Sequence, residues 1–374
     1  MKKTTLAAIL HLIIVACIAQ TPAGETIGQL PYQDSLLAVL ETGVHPPASG
    51  LPSITLRLSN KRCCKTLSNI LLQWQVLVNG QPQQQGSLNN LPIPAGQSLK
   101  IHLPARVPTG SHDEVYLNIL YKFKKQEGQF PAGTLLARQQ LLLKAPAPEA
   151  PTVLPAGELT FQDDNGVFLV STPDHSLDLQ FNKQTGWLRH YEVKGAVLLN
   201  DSLGMQAIPF LKDTQPAHLQ LFSTSTSSVL VIVRGDYEVP GSTYKLHMAY
   251  TINAKGEMLV EESLEQDTSA GILPSADTPP LKMYWSLPPE FDSLIYYGDG
   301  PQALGIYQAA LNEGKVKTGI RWCKSIDHQR KGILLSSDST HLRVRMQLEI
   351  APDHSPALLQ NSYHYSYKVS PILP

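Results

Sequence analysis

Apolar and polar residues alternate along much of the first half of the chain. Ile54, Leu56 and Leu58 fall on one face of such a run, with polar residues between them. A period of two is typical of half-buried antiparallel strands. Asn79-Gly80 follows another run and predicts a tight hairpin, because this dipeptide readily adopts positive φ angles. About seven strands in about 110 residues predict a β-sandwich of the immunoglobulin type.

A segment rich in proline and alanine, Lys144–Pro151, interrupts this pattern. It has no hydrophobic periodicity, which is typical of a semi-rigid linker. Alternation resumes beyond it, for example at Leu177, Leu179 and Phe181. No strand pattern there is followed by a helical pattern of about 10–15 residues, as a (β/α)8 barrel would require. The second part is therefore predicted to be a larger antiparallel β-structure.

The first residues have the order of an export signal. Lys2 and Lys3 precede an apolar run from Leu6 to Ala19, which polar residues follow. The run is too short to span a bilayer comfortably, so we expect an exported protein, periplasmic or extracellular. Ile14–Cys17 also resembles the box of bacterial lipoproteins, which leaves lipidation of Cys17 and anchoring to the outer membrane as an alternative.

These patterns predict two β-domains, which a chain of 374 residues is long enough to form. The predicted divisions are a signal peptide (1–19), an N-terminal lead-in (20–34), an immunoglobulin-like sandwich (35–145), a Pro/Ala-rich linker (146–156) and a larger β-sandwich (157–374).

Charge and cysteine content narrow the possible ligands. The 30 Lys and Arg against 31 Asp and Glu give a formal net charge of -1, so no long-range field favours nucleic acid or anionic lipid. Cys63, Cys64 and Cys323 remain after the signal, and an odd number cannot all pair internally. We expect buried apolar thiols, with the adjacent pair pointing to opposite faces if it lies on a strand. Zinc-site spacing is absent, so neither a metal nor another cofactor is expected.

Short motifs in the last third of the chain resemble the last domain of β-galactosidases of glycoside hydrolase family 2. They are Leu287–Asp292, Tyr297–Pro301, Asn312–Gly314 and the pair Arg321-Trp322. Leu179–Leu188 is similar to the opening strands of that domain, which in the family is a large sandwich akin to the galactose mutarotases. In the first part, Leu56–Lys61 and Leu72–Trp74 resemble the immunoglobulin-like domain that follows the catalytic barrel.

The resemblance implies an all-β fold class, with an immunoglobulin-like β-sandwich followed by a galactose-mutarotase-like β-supersandwich. It also implies that the barrel is missing. Hydrolysis in this family needs two carboxylic acids about 5–5.5 Å apart, and both lie on the barrel. None of the 31 Asp and Glu residues can be matched to them. Asp163-Asp164 is interpreted as a solvated turn and Glu261-Glu262 as a strand edge. His247 and His364 have no matched acid and nucleophile, so no catalytic residue is expected.

The family's sugar-facing loops are shortened or replaced, but a set of polar and aromatic residues remains. A sugar site needs an aromatic platform and planar hydrogen-bonding groups. The alternative is that the tryptophan belongs to the core and the arginine satisfies backbone carbonyls or an acid. The candidate carbohydrate-binding residues are Tyr296, Tyr297, Asp299, Arg321 and Trp322.

The sequence favours a non-catalytic, β-galactosidase-like accessory protein that binds a galactoside-like carbohydrate or docks on a partner. A second hypothesis is the small subunit of a split β-galactosidase, whose barrel lies on a partner chain; a homo-oligomer is a further possible assembly. A third is a mutarotase-like sugar epimerase, which needs a histidine and a carboxylate converging on a sugar ring. A nucleic acid partner is not expected, and a membrane is expected only through the lipid anchor.

Overall fold

The computed structural model is built almost entirely of β-strands. One 3-10 turn, Leu67–Asn69, interrupts them, and the described ranges contain no α-helix. The predicted all-β class is therefore confirmed. Cys17, the export signal and Asn312–Gly314 lie outside the described residues. The residues described are 37–45, 53–108, 113–145, 151–201, 207–212, 215–238, 244–266, 282–285, 287–300, 304–310, 317–337, 342–345, 349–352 and 362–373.

The first part of the described chain contains seven antiparallel strands in two sheets. One sheet has the order β1-β2-β5 and the other the order β4-β3-β6-β7. The strands are β1 Leu37–His45, β2 Ser53–Asn60, β3 Ile70–Val78, β4 Gln81–Leu88, β5 Ser98–Arg106, β6 Val115–Phe123 and β7 Leu135–Lys144.

Alternate residues of these strands fill one core between the two sheets. Ile54, Leu56 and Leu58 on β2 are fully buried, and Trp74 on β3 is 4% exposed. The predicted hairpin joins β3 to β4, with φ angles of 49° at Asn79 and 81° at the glycine that follows. The alternation therefore predicted this sandwich correctly, because one face of each strand is buried.

The second part of the described chain forms three antiparallel sheets. Their orders are β12-β11-β10-β9-β8, β14-β13-β19-β26-β25-β22 and β15-β16-β17-β18-β27-β24-β23-β20-β21. The strands are β8 Thr160–Asp164, β9 Val167–Ser171, β10 Leu177–Asn182, β11 Leu188–Val193, β12 Ala196–Asn200, β13 Ala207–Lys212, β14 Gln215–Pro216, β15 His218–Thr226, β16 Val231–Glu238, β17 Tyr244–Ile252, β18 Met258–Gln266, β19 Lys282–Trp285, β20 Ser293–Asp299, β21 Leu304–Ala310, β22 Lys317–Ile320, β23 Trp322–Ile326, β24 Gly332–Ser337, β25 Leu342–Arg345, β26 Glu349–Pro352 and β27 Ser362–Ile372.

A second core lies against the inner face of the nine-stranded sheet. Phe181 from the five-stranded sheet packs on Tyr250 of β17, with ring centroids 5.2 Å apart. From the six-stranded sheet, the Trp285 indole N–H donates to the Tyr367 hydroxyl at 3.1 Å. The nine-stranded sheet is therefore covered on one side by the other two sheets. No helix among the described residues is both long and apolar enough to cross a membrane.

The cysteines differ from the expectation of buried thiols. Cys323 on β23 is fully buried, as expected, but Cys63 and Cys64 are both exposed. They follow the end of β2 at Asn60, so they lie in a connection and not on a strand. Strand alternation therefore does not separate their side chains. The three described cysteines form no disulfide.

Candidate functional site

The five residues predicted from the sequence lie together near one edge of the nine-stranded sheet. β20 carries Tyr296, Tyr297 and Asp299, and Trp322 at the start of β23 pairs directly with Tyr297. Arg321 precedes Trp322, and its backbone N–H donates to the Tyr297 carbonyl at 2.9 Å. Antiparallel pairing of these two strands explains why residues 24 positions apart meet.

The two tyrosines are buried. Tyr296 is 3% exposed and Tyr297 2% exposed. The Tyr296 ring lies 5.7 Å from the ring of Tyr307 and 5.8 Å from the Lys317 Nζ atom. At this exposure neither ring offers a face to a ligand from solution.

A carboxylate from the first sandwich binds two of the five residues. The Tyr297 hydroxyl donates to Glu114 Oε2 at 2.6 Å, and Arg321 Nη2 donates to Glu114 Oε1 at 3.1 Å. The Tyr116 hydroxyl donates to the same Oε1 at 3.2 Å. Since Glu114 is only 6% exposed, these bonds form in a poorly hydrated environment.

Burial raises the pKa of both tyrosine hydroxyls that donate to Glu114. It raises the pKa of Tyr116 to about 12, with the Glu114 charge as the second cause. The same two effects, with the hydrogen bond to Glu114, raise the pKa of Tyr297 well above its usual range. Both hydroxyls therefore remain protonated at neutral pH and serve as hydrogen-bond donors.

Arg321 has a second set of contacts on the solvent side. Its Nη1 atom donates to the Gly319 carbonyl and lies 3.6 Å from Asp299 Oδ1. The Asp299 side chain is 55% exposed, so this ion pair is worth little by itself. The guanidinium of Arg321 thus satisfies an acid and a backbone carbonyl, as its non-sugar interpretation expects.

Trp322 is half-buried between two neighbours. Its ring centroid lies 6.2 Å from that of Tyr297, and the Lys324 Nζ atom lies 5.2 Å from the ring. Asp299 is the most exposed of the five candidate residues, whereas Arg321 and Trp322 are both half-buried.

A second polar bridge joins the same two sandwiches. The Gln140 side chain on β7 donates to the Leu304 carbonyl at 2.8 Å and accepts from the Leu304 N–H at 2.8 Å. The hairpin residue Gly80 also packs against the Tyr297 ring. The candidate residues therefore form part of the contact between the sandwiches.

Gly80→Ala is expected to lower the free energy of unfolding by about 1–3 kcal/mol. Gly80 has a φ of 81°, and an added Cβ would lie 2.5 Å from Cδ2 of Tyr297. Gly96→Ala is the matched control, because Gly96 has a φ of 72° but no atom within 4 Å of its Cβ position. Urea unfolding should show a larger loss for Gly80→Ala, and equal losses would contradict the packing of Tyr297 against this hairpin.

A buried carboxyl that the sequence did not predict lies on an inner strand of the nine-stranded sheet. Glu262 is fully buried on β18, opposite Met248 of β17 and Tyr365 of β27. The interpretation of Glu261-Glu262 as a strand edge is therefore wrong, since β18 has a strand on each side. The inward alternation of Met258, Val260, Glu262 and Leu264 was the signal that could have placed it.

The surroundings of Glu262 favour its neutral form. Burial raises the pKa of Glu262 to about 8, and the Tyr365 hydroxyl opposes the shift in part. Neither carboxyl oxygen has a hydrogen bond of normal geometry to the described residues. Burial raises the pKa of Tyr237 and Tyr250, and the charge of an ionised Glu262 would add to both shifts. A carboxyl in such a setting stays protonated at neutral pH and can act as a hydrogen-bond donor.

Two acidic side chains lie beside His247, which supply the acid but not the nucleophile whose absence was expected from the sequence. Its Nδ1 atom lies 2.8 Å from Asp236 Oδ1, and its Nε2 atom lies 3.5 Å from Glu265 Oε2. Asp236 pairs with His247 across β16 and β17, a register that sequence spacing alone does not reveal. All three side chains lie on the exposed face of the sheet. In the described part of the chain, no group of three or more His, Cys, Asp or Glu side chains is arranged to hold a metal ion.

Two family models match this chain. Residues 56–144 match the model described as "Beta-galactosidase, domain 4", and residues 174–303 match "Beta galactosidase small chain". The first range covers the sandwich from within β2 to the end of β7 and leaves out β1, and the second ends just after β20, which carries Tyr297.

Curated β-galactosidases are also similar to this chain. The protein of Priestia megaterium is 24% identical over 83% of this chain and 32% of its own length. That of Leuconostoc mesenteroides is 27% identical over 37% of this chain, and that of Vibrio vulnificus strain CMCP6 is 29% identical over 38%. The chain spans about a third or less of the length of these relatives.

Solved structures also match this chain, at low TM-scores. A galactose 1-epimerase from Lactobacillus acidophilus NCFM matches with a TM-score of 0.30 and 9% identity, over 58% of this chain and 98% of its own. An alpha-mannosidase from Enterococcus faecalis V583 matches with a TM-score of 0.33 and 9% identity, over 89% of this chain and 42% of its own. It is the two family models and the curated relatives that place this chain in the β-galactosidase family, as a counterpart of the C-terminal domain 4 and small-chain regions.

Proposed function

We propose that this chain is a β-galactosidase-related accessory protein that is not catalytic by itself and acts by docking onto a partner. One observation carries the proposal: polar groups expected to face a sugar are bonded to the first sandwich. Glu114 accepts from both Tyr297 and Arg321. These three side chains join the two sandwiches and are not available to a sugar. The function is therefore assigned to the outer surface of the joined sandwiches.

An exposed strand edge supports docking. β8 ends the five-stranded sheet in the described part of the chain, and all five of its residues are exposed. Phe161 on this strand is 50% exposed, and Leu154 just before it is 70% exposed. An open edge with exposed apolar side chains is a template for pairing with another chain.

The preferred partner is a chain that carries carbohydrate-active domains. The similarity to the Priestia megaterium β-galactosidase covers 32% of that protein's length, which leaves about two thirds of it without a counterpart in the match. A partner that supplies the remaining regions would make this chain the small subunit of a split β-galactosidase. The epimerase alternative has less support, because His247 meets Asp236 and Glu265 on an exposed sheet face.

Carbohydrate binding remains the second candidate function, because Trp322 is only half-buried. A sugar-binding role predicts retention of the chain on lactose or galactan resin. That retention should fall when Trp322 is replaced by alanine, since the indole ring would be the stacking platform. If docking is the sole function, neither the wild type nor the Trp322→Ala variant should be retained on the resin.

Phe161→Asp tests the docking proposal directly. Sedimentation velocity would be run on the purified chain alone and with the product of the neighbouring gene. We expect a complex that Phe161→Asp weakens about tenfold or more, because an anchor side chain at an interface commonly contributes over about 1.4 kcal/mol.

Leu142→Asp is the matched control, because Leu142 is 52% exposed on β7 of the other sandwich. It should leave the complex unchanged. A chain that stays monomeric in both experiments and is retained on lactose resin through Trp322 would overturn docking in favour of sugar binding.

A further inference from the structure

Two neighbouring thiols face solvent in the first sandwich. Cys63 and Cys64 are both exposed, and their Sγ atoms lie 3.1 Å apart. Neither the β-galactosidase matches nor the docking proposal gives these residues a role. Adjacent thiols in contact have a chemistry that a single cysteine lacks, because the second sulfur can attack a bond formed by the first.

The connection that carries the two cysteines is held at both ends. The Asn60 side chain donates to the carbonyls of Lys65 and Ile93, at 2.8 and 3.0 Å, and accepts from the Arg62 N–H at 3.0 Å. The Arg62 side chain, only 9% exposed, pairs with Glu127. These bonds fix the backbone on either side of the two sulfurs, so their proximity is a property of the loop.

The contact between the two sulfurs affects their ionisation. A hydrogen bond to Cys63 and the charge of Cys63 raise the pKa of the Cys64 thiol, and either sulfur can be the donor in that contact. The thiolate is the attacking species in disulfide exchange, so whichever sulfur ionises attacks first and its neighbour is in place to resolve the product.

We propose that Cys63 and Cys64 form a redox-active dithiol that exchanges with low-molecular-weight disulfides and closes to a vicinal disulfide. In the first step one of the two sulfurs, as the thiolate, attacks the small disulfide, forms a mixed disulfide and releases one small thiol. In the second step the neighbouring thiol loses its proton and attacks the Sγ atom of the first, which breaks the mixed disulfide and releases the second small thiol. Two protein thiols are thereby oxidised and one small disulfide is reduced to two thiols.

The closed pair is expected to reopen readily. Consecutive Cα atoms are about 3.8 Å apart, whereas disulfides usually join Cα atoms about 4.4–6.8 Å apart. A vicinal disulfide is therefore strained, and strained, exposed disulfides are easily reduced. Cys323 provides an internal contrast, because burial raises its pKa to about 12 and keeps it from reacting in the folded protein.

The test uses the full chain, reduced and then incubated with oxidised glutathione under native conditions. We expect the wild-type mass to fall by two hydrogen atoms, with peptide mapping that places the loss at Cys63 and Cys64. Cys64→Ser should instead keep one glutathione on Cys63, because the neighbouring thiol is gone. Cys323→Ser should behave as wild type, and reduced glutathione should return wild type to the dithiol.

Other results would overturn the proposal. A stable glutathione adduct on wild type at the level seen for Cys64→Ser would show that the neighbouring sulfur does not resolve it. Chains cross-linked to one another through Cys63 or Cys64 would show that these thiols serve intermolecular pairing. No reaction at either residue, with both alkylated equally before and after treatment, would show that the pair is not redox-active.

Discussion

Replacing Glu114 by alanine is expected to lower the free energy of unfolding by about 3–5 kcal/mol, since removing one partner of a buried pair leaves the other uncompensated. The change would leave the Tyr297 hydroxyl and the Arg321 guanidinium without their shared acceptor. Both groups would then be buried or half-buried with poor hydration. Urea unfolding of the wild type and the variant measures this loss.

Glu114→Gln separates charge from shape in the same cluster. The amide can still accept from Tyr297, but it carries no charge for Arg321, so an intermediate loss is expected. Arg321→Met, alone and combined with Glu114→Ala, completes a double-mutant cycle that isolates the coupling between the two residues. A Glu114→Ala loss below about 1 kcal/mol would mean that the contact between the sandwiches does not depend on this carboxylate.

Stability is expected to fall as the pH rises from 5 to 8 because of Glu262. Its pKa is about 8 in the folded protein, against an ordinary value of 4.5. Between these values the folded state keeps a proton that the unfolded state releases, so each pH unit costs about 1.4 kcal/mol of unfolding free energy. The stabilising effect is complete below the ordinary pKa and is lost once the pH exceeds about 8. Over the three units the loss is about 4 kcal/mol.

Glu262→Gln isolates this contribution, because glutamine has nearly the same shape and does not titrate in this range. Unfolding free energies from urea titrations at several pH values should give a flatter curve for the variant than for the wild type. The variant should also become the more stable protein, relative to wild type, at the alkaline end. Parallel curves would show that Glu262 does not carry a raised pKa in the folded protein.

Much of the fold could be predicted from the sequence because strand alternation reports burial directly. Ile54, Leu56 and Leu58 alternate and are fully buried, and Asn79-Gly80 forms the hairpin that its positive φ angles require. Such signals are local, so they survive without knowledge of the tertiary structure.

The composition of the candidate site could be predicted only in part. The sequence placed Tyr297 and Arg321 together, but it could not find Glu114, which lies 183 residues from Tyr297 and comes from the other sandwich. Contacts of this kind depend on how two sheets pack against each other. The periodicity of apolar residues reports which face of a strand is buried, but not which residue of another sheet it meets. Glu262 was not predicted for a different reason: acidic residues are mostly exposed, so residue type argued against the burial that its position on the strand imposes.

The exposure of Cys63 and Cys64 also could not be predicted from the sequence. As isolated residue types they favour burial, but they lie in a connection whose shape Asn60 fixes through its own hydrogen bonds. Their exposure and contact follow from that loop geometry. Residue preference is thus a weak guide where the backbone leaves a regular strand.

We propose that the chain is not a hydrolase by itself and acts through a partner. This is tested by hydrolysis of a chromogenic β-galactoside by the purified chain, alone and then mixed with the product of the neighbouring gene. We expect no hydrolysis by the chain alone; hydrolysis that occurs only in the mixture would identify the partner as the rest of a split enzyme. Turnover by the chain alone that co-elutes with it through size-exclusion chromatography would contradict the claim and require a catalytic pair of carboxylates within these residues.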